Sequence, residues 1–288
     1  MGAIRDATWD DFDVVFELLD ARSRAAFGVS EQKPEFLRQR WELPGAEKWV
    51  ALAGAQVTGY ASIDEEQHLV LAAVEPDVGD ALLAHAEQRA RGRGFDHLAA
   101  TAVPEDAPFW ALLQRSGFSH DREVLRMWRT LNGSLPEPVW PHGVTVRTYS
   151  RADDGAVHAL LDDAYAGWDR DYVAQSHEGW LSFMTGHDEF DQELWFLAER
   201  DGDLVACALH WKEQQRRGWV KDIVVRESER GHGLGKALLR HGFAAYAARG
   251  VERVGLKVDS TNPTGAPQLY EREGFVVDQQ LGMWHKRL

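Results

Sequence analysis

From Val224 to Leu239 the chain reads Val-Val-Arg-Glu-Ser-Glu-Arg-Gly-His-Gly-Leu-Gly-Lys-Ala-Leu-Leu, with glycines at 231, 233 and 235. An apolar strand segment runs into a glycine turn and then into an amphipathic helix. Glycine lets the backbone bend sharply and lets a ligand approach N–H groups with no Cβ in the way. The N–H groups at a helix start lack intrahelical partners and carry the positive end of the helix dipole, so such a turn suits an anion. Arg230 and Lys236 add formal positive charge beside it. The chemistry indicated is phosphate binding, pyrophosphate first.

Spacing narrows the device. A Walker A loop needs glycine six residues before its lysine and Ser or Thr after it. Here Arg230 and Ala237 stand in those places. A dinucleotide fold needs Gly-x-Gly-x-x-Gly, whereas this turn reads Gly231-x-Gly233-x-Gly235. The plain alternative is a turn that only caps a helix, which would leave Arg230 and the pattern downstream without a role.

That pattern is Leu256-Lys257-Val258-Asp259-Ser260-Thr261-Asn262-Pro263, followed by Ala266, Leu269-Tyr270 and Gly274-Phe275. With both motifs in one order, the sequence resembles the GNAT superfamily of acyl-CoA-dependent N-acyltransferases. The family's Arg/Gln-x-x-Gly-x-Gly/Ala loop matches Arg230-Gly231-His232-Gly233-Leu234-Gly235, and its strand–Asn–helix–Tyr–Gly-Phe signature matches Val258, Asn262, Tyr270 and Gly274-Phe275. The resemblance implies that backbone N–H groups from Arg230 through Gly231, His232, Gly233, Leu234 and Gly235 to Lys236 hold the pyrophosphate of acetyl-CoA. It implies that Ile223, Val224 and Val225 pair with the pantetheine like an added strand, and that Asn262 hydrogen-bonds the same arm. Tyr270 is the implied acid that protonates the departing thiolate. The implied reaction is direct acetyl transfer to an amine, with a base for the ammonium and no metal.

Each role has a structural alternative. Tyr270 could be a core aromatic on the Ala266/Tyr270 face of a helix, and Asn262 could cap that helix. The base departs from the family pattern, because Lys221 stands where many relatives carry glutamate, with Asp222 beside it. Strand alternation points Asp222 away from Lys221. Asp222, a carboxylate from elsewhere or an ordered water could take the proton.

The elements that must carry these residues read as follows. Val144–Thr148 alternates as a strand, and 153–164 has helical spacing at Val157, Leu160, Leu161 and Ala164. A short helix could hold Val173, Trp180, Leu181 and Phe183. Residues 193–199, the turn Asp201-Gly202 and the set Leu204, Ala206 and Ala208 read as a hairpin. Strands at 218–225 and 251–258, helices at 234–248 and 264–273, and one or two strands over 275–285 complete the α/β (α+β) layer. Gly250 terminates the helix before it. Trp168, Asp169, Asp171, Tyr172 and Trp180 fall where the family's substrate loop lies.

This layer is a second copy. Met127-Trp128 and Met283-Trp284, Gly94 and Gly250, Leu82-Leu83 and Leu238-Leu239, and His85 and His241 all repeat at an offset of 156. Gly117-Phe118 and Gly274-Phe275 repeat at 157. The expectation is two tandem GNAT-like domains, each a mixed, mostly antiparallel sheet flanked by helices. Their bounds are 1–131, a Pro-rich linker at 132–142, and a catalytic domain at 143–288, in an architecture like that of mycothiol synthase. In the first copy Val74-Glu75-Pro76-Asp77-Val78-Gly79-Asp80-Ala81 replaces Val225 to Ala237 and loses five residues, with Asp77 and Asp80 placed where phosphate would sit. No asparagine matches Asn262, and Leu113 or its neighbour replaces Tyr270. A packing and substrate-shaping role is expected of this half.

Composition sets the remaining bounds. Of 288 residues, 32 are Lys or Arg and 46 Asp or Glu, a net charge of −14, which disfavours phosphate-backbone recognition of nucleic acid. The split is 14 basic against 23 acidic up to residue 141, and 18 against 23 beyond it. The single cysteine, Cys207, forms no intrachain disulfide and reads as a small buried apolar residue. Arg89, Arg91 and Arg93 suit a helix C-terminus. The expectation is a cytoplasmic monomer or homodimer without signal peptide or membrane span, using acetyl-CoA as co-substrate and no metal. Its acceptor is a small, possibly cationic, amine. A non-catalytic acyl-CoA sensor or scaffold and a nucleotide-binding module are the rival readings.

Overall fold

Period-two alternation, with both residue sets apolar, builds sheets covered on two faces. The computed structural model describes residues 3–28, 30, 32–167 and 174–288. In chain order they form β1 (Ala3–Asp6), α1 (Phe12–Phe27), α2 (Pro34–Glu42), β2 (Glu47–Ala53), β3 (Gln56–Ile63), β4 (His68–Ala73), α3 (Pro76–Gly92), β5 (His97–Ala102), α4 (Ala107–Arg115) and β6 (Ser119–Thr130). There follow β7 (Val144–Thr148), α5 (Asp154–Ala166), α6 (His177–Thr185), β8 (Trp195–Arg200), β9 (Asp203–Gln214), β10 (Arg217–Val225), α7 (Leu234–Ala248), β11 (Arg253–Asp259), α8 (Ala266–Arg272) and β12 (Val276–Arg287). The expected short helix is α6; Val173, Trp168, Asp169, Asp171 and Tyr172 lie outside the described residues.

The chain divides into two units, Met1–Val124 with Gln280–Leu288, and Leu125–Gln279. These bounds differ from those expected of the sequence. The second unit begins before the Pro-rich segment, whose Leu135 and Trp140 pack against that unit's core. The last nine residues belong to the first unit, because Gly282–Arg287 pair antiparallel with Ala102–His97 of β5. The repeated Met-Trp pairs are thereby exchanged. Trp284 is buried among Leu82, Phe109 and Leu113 of the first unit, and Met127 among Leu238, Phe243 and Tyr246 of the second.

In the first unit the strand order is β1-β2-β3-β4-β5-β12, and in the second β6-β11-β10-β9-β8-β7. Antiparallel pairing dominates, and β4 with β5 in the first unit and β10 with β11 in the second pair parallel. Alternation sorts the side chains. Trp49 and Ala51 join one core of the first unit, and Val50 between them joins the other. In the second unit Phe196, Ala198, Ala206 and Ala208 face α7, while Trp195, Leu197, Cys207 and Leu209 face α5 and α6. The copies also share an entry device. Asp11 and Asp153, 142 residues apart, each accept a backbone hydrogen bond in a capping box, from Thr8 at 2.9 Å and Ser150 at 2.8 Å. Each is also clamped by an arginine, Arg5 at 2.7 Å and Arg147 at 2.8 Å.

Candidate active site

The parallel pair β10–β11 holds only over Arg217–Trp219 with Arg253–Gly255. Beyond it β10 keeps β9 on one side and offers its other edge to a cavity of about 620 Å³. Lining residues come from both strands, the glycine turn, α8 and the last turn of α5. A strand edge left open in this way presents unpaired N–H and C=O groups to a ligand.

The turn after β10 is built for its backbone. Gly231 and Gly233 have φ of +81° and +87°, a region costly for residues with a Cβ, and Gly233 is the N-cap of α7. Ala237 N donates to Gly233 O at 2.9 Å, so the N–H groups of Leu234, Gly235 and Lys236 precede the first intrahelical bond. Among the described residues neither Arg230 nor Lys236 pairs with a carboxylate; Arg230 Nε donates to the Val225 carbonyl at 3.1 Å. Glu229, also in the lining, is neutralised by Arg200 at 3.2 Å. A bidentate Arg240–Glu273 pair, 2.8 Å on both arms, ties α7 to the end of α8. It fixes the glycine turn relative to Tyr270.

Of the residues singled out from the sequence, Asp222, Ile223, Val224, Val225, Arg230, Gly231, Gly233, Leu234, Gly235, Lys236, Asn262 and Tyr270 all line this cavity. His232 does not; it is exposed, with Nδ1 3.4 Å from the Glu229 carbonyl. Asn262 does not cap α8, whose N-cap is Gly265. Its Oδ1 accepts from Thr264 N at 3.0 Å and Thr264 Oγ1 at 2.6 Å, which leaves its amide NH₂ as a donor.

The expected opposition of Lys221 and Asp222 is corrected. Val220 is opposite His210 and Asp222 opposite Leu209, so Lys221 is the extra residue of a β-bulge. Its effect on parity is visible in the cores: Val220 joins the α7 side, whereas Val224 joins the α5 side. Lys221 Nζ instead donates to Asp222 Oδ2 at 3.2 Å, and both residues line the cavity. The other carboxylate oxygen accepts from the Tyr165 hydroxyl. Tyr165 was not identified from the sequence, since nothing local distinguishes it from the other residues of α5.

Burial, and then the charge of Asp222, push the Tyr270 hydroxyl above the usual phenol range. It therefore carries its proton at neutral pH, as an acid must. Burial also raises the Cys207 thiol, which is fully inaccessible and stays protonated. Among the described residues no three His, Cys, Asp or Glu side chains converge as a metal site, and no helix is long and apolar enough to cross a membrane.

The first unit closes the corresponding place. Its β4–β5 pairing covers only His68 and Leu69 with Ala99 and Ala100. At the opening, Arg22 of α1 donates to the Leu71 carbonyl and to Asp106, with its guanidinium 4.3 Å over the Phe109 ring. By the 142-residue offset Arg22 stands where Ala164 lines the second unit's cavity. Only Val74 and Glu75 separate β4 from α3, and Pro76 at the helix start has no N–H to offer.

Residues 155–275 match the acetyltransferase (GNAT) family. The chain is 31% identical to a mycothiol acetyltransferase of Streptomyces coelicolor over 96% of its own length and 92% of the relative's. It is 34% identical to one of Streptomyces avermitilis over 93% and 89%. This is a GNAT acetyltransferase. A GCN5-related N-acetyltransferase from Sphaerobacter thermophilus superposes with a TM-score of 0.75 at 26% identity, covering 99% of this chain and 95% of that one. A tandem GNAT protein from the clavulanic acid biosynthesis pathway shares the fold at a TM-score of 0.72 and 18% identity, over 100% and 98%. The GNAT match falls inside the second unit and contains the whole cavity lining. A GNAT enzyme that transfers acetyl groups is not a non-catalytic sensor, and that alternative is set aside.

Proposed function

We propose that this chain transfers the acetyl group of acetyl-CoA to the amine of a small molecule, in the cavity of its second unit. The acceptor named in its relatives, a mycothiol-type compound, is the first candidate. The observation that carries the reading is the shared cavity: the open edge of β10, the glycine turn with two cations that meet no carboxylate among the described residues, Asp222 and Tyr270 all face one space.

In this reading the N–H groups from Arg230 to Lys236 hold the pyrophosphate, with Arg230 and Lys236 supplying charge. The edge at Ile223–Val225 pairs with the pantetheine, and the Asn262 amide donates to it. Asp222 takes a proton from the acceptor ammonium. The nitrogen lone pair then forms the N–C bond, the C–S bond breaks, the sulfur takes the Tyr270 proton, and the second nitrogen proton leaves to give the amide and restores the Tyr270 hydroxyl. The products are an amide and a free thiol, with one proton released overall to solvent.

The test is thiol release from acetyl-CoA across a panel of amines that includes mycothiol-type acceptors, polyamines, amino-sugars and aminoglycosides. Turnover on one amine class with none in its absence supports the reading. Tight acetyl-CoA binding with no single-turnover transfer to any amine overturns it.

A further inference from the structure

Asp222 is a carboxylate held almost entirely out of solvent, and such a group persists only when its oxygens are satisfied. Both are. Oδ2 accepts from Lys221 Nζ on its own strand, a contact made by the bulge, and Oδ1 accepts from the hydroxyl of Tyr165. Tyr165 lies in the last turn of α5, a helix that packs on β9 and β10, and its ring joins the core formed by Leu209, Trp211 and Val224. It also lines the cavity. The titratable groups facing Asp222 are therefore Tyr165 from α5, Lys221 on β10, Cys207 from β9 and Tyr270 from α8. Burial keeps the hydroxyls of Tyr165 and Tyr270 and the thiol of Cys207 protonated, so of these Tyr165 and Lys221 are the donors that reach the carboxylate.

We propose that Tyr165 is the positioning residue of the base: its hydroxyl holds the Asp222 carboxylate turned to the cavity, ready for the acceptor ammonium. This rests on the reading of Asp222 given above and adds a residue from a different element to it. A carboxylate on a bulged strand has two staggered alternatives for its side chain. Lys221, on a flexible four-carbon stem, fixes neither. A tyrosine ring locked in a core, with one hydroxyl at a set height, fixes one.

The experiment compares wild type, Y165F and D222N with the best amine of the acceptor panel. It measures kcat and both KM values from neutral pH up to the acceptor's own pKa. Phenylalanine keeps the ring in its core and removes only the donor. The expected result for Y165F is a loss in kcat of about 10-fold at neutral pH, with KM for acetyl-CoA unchanged within about twofold. The loss should shrink to less than about threefold where the amine is already neutral and needs no base. A loss of the same size at every pH, or no loss at all, overturns the proposal while a D222N defect at neutral pH leaves Asp222 as the base. A D222N enzyme with wild-type rates at neutral pH removes the base reading itself, and the Tyr165 proposal with it.

Discussion

Arg22 and Asp106 form an ion pair inside the first unit, reaching across the place where β4 and β5 have parted. Asp106 is also the N-cap of α4, accepting from Phe109 N at 3.4 Å, and it is buried. Arg22→Ala leaves that carboxylate without its cation. The expected cost is about 3 kcal/mol of stability, as for other broken buried pairs. Chemical denaturation measures it. Acetyl-CoA stoichiometry should stay at one per chain, since opening the gap restores neither the glycine turn nor its N–H groups.

Gly233→Asp puts a carboxylate and a side chain at a φ of +87° into the cradle. Acetyl-CoA affinity should fall by at least about 100-fold in isothermal titration, because the new charge opposes the phosphates at close range. The fold should persist at a local backbone cost: the φ disfavours any side chain, but no heavy atom lies within 4 Å of a Cβ placed there. Gly79→Ala and Asp80→Asn, early in α3 of the first unit, should leave affinity within about twofold. Two equal sites in the wild type would show that the first unit binds acetyl-CoA as well.

Tyr270→Phe should lower kcat by roughly 10²-fold with little change in KM for acetyl-CoA, the pattern of lost acid catalysis. An unchanged kcat would return Tyr270 to the core that it shares with Phe275.

Asp153 is held down to about 2 by Arg147 and by the Ser150 N–H and hydroxyl. A carboxyl depressed on folding stabilises the native state fully above its unfolded value, near 4, and loses that contribution as pH falls toward about 2. Asp153→Asn should therefore cost about 1 kcal/mol at neutral pH, discounted because Arg147 is partly exposed. Melting curves of the variant and the wild type should converge between pH 4 and 2. A difference that does not shrink between pH 4 and 2 would assign the loss to packing instead.

Local rules made the glycine turn and α7 legible in the sequence, and most of the residues they singled out line one cavity. Helix α7 runs over the residues expected, and it ends where Gly250 adopts a φ of +74°. The Asp201-Gly202 turn likewise shows positive φ at both residues, as a tight hairpin needs. The internal repeat was legible too, because identical residues at a constant offset require no knowledge of contacts. Three features were decided only by the tertiary structure. The bulge at Lys221 depends on how β10 registers against β9, and strand alternation alone gives the opposite orientation for Asp222. Tyr165 meets Asp222 across 57 residues of chain, through the packing of α5 on the sheet. The exchange of Trp284 and Met127 between units follows from which sheet edge each last strand completes. The two strands carry the same Met-Trp pattern, so sequence alone cannot distinguish the edges; only hydrogen bonds between residues far apart in the chain do so.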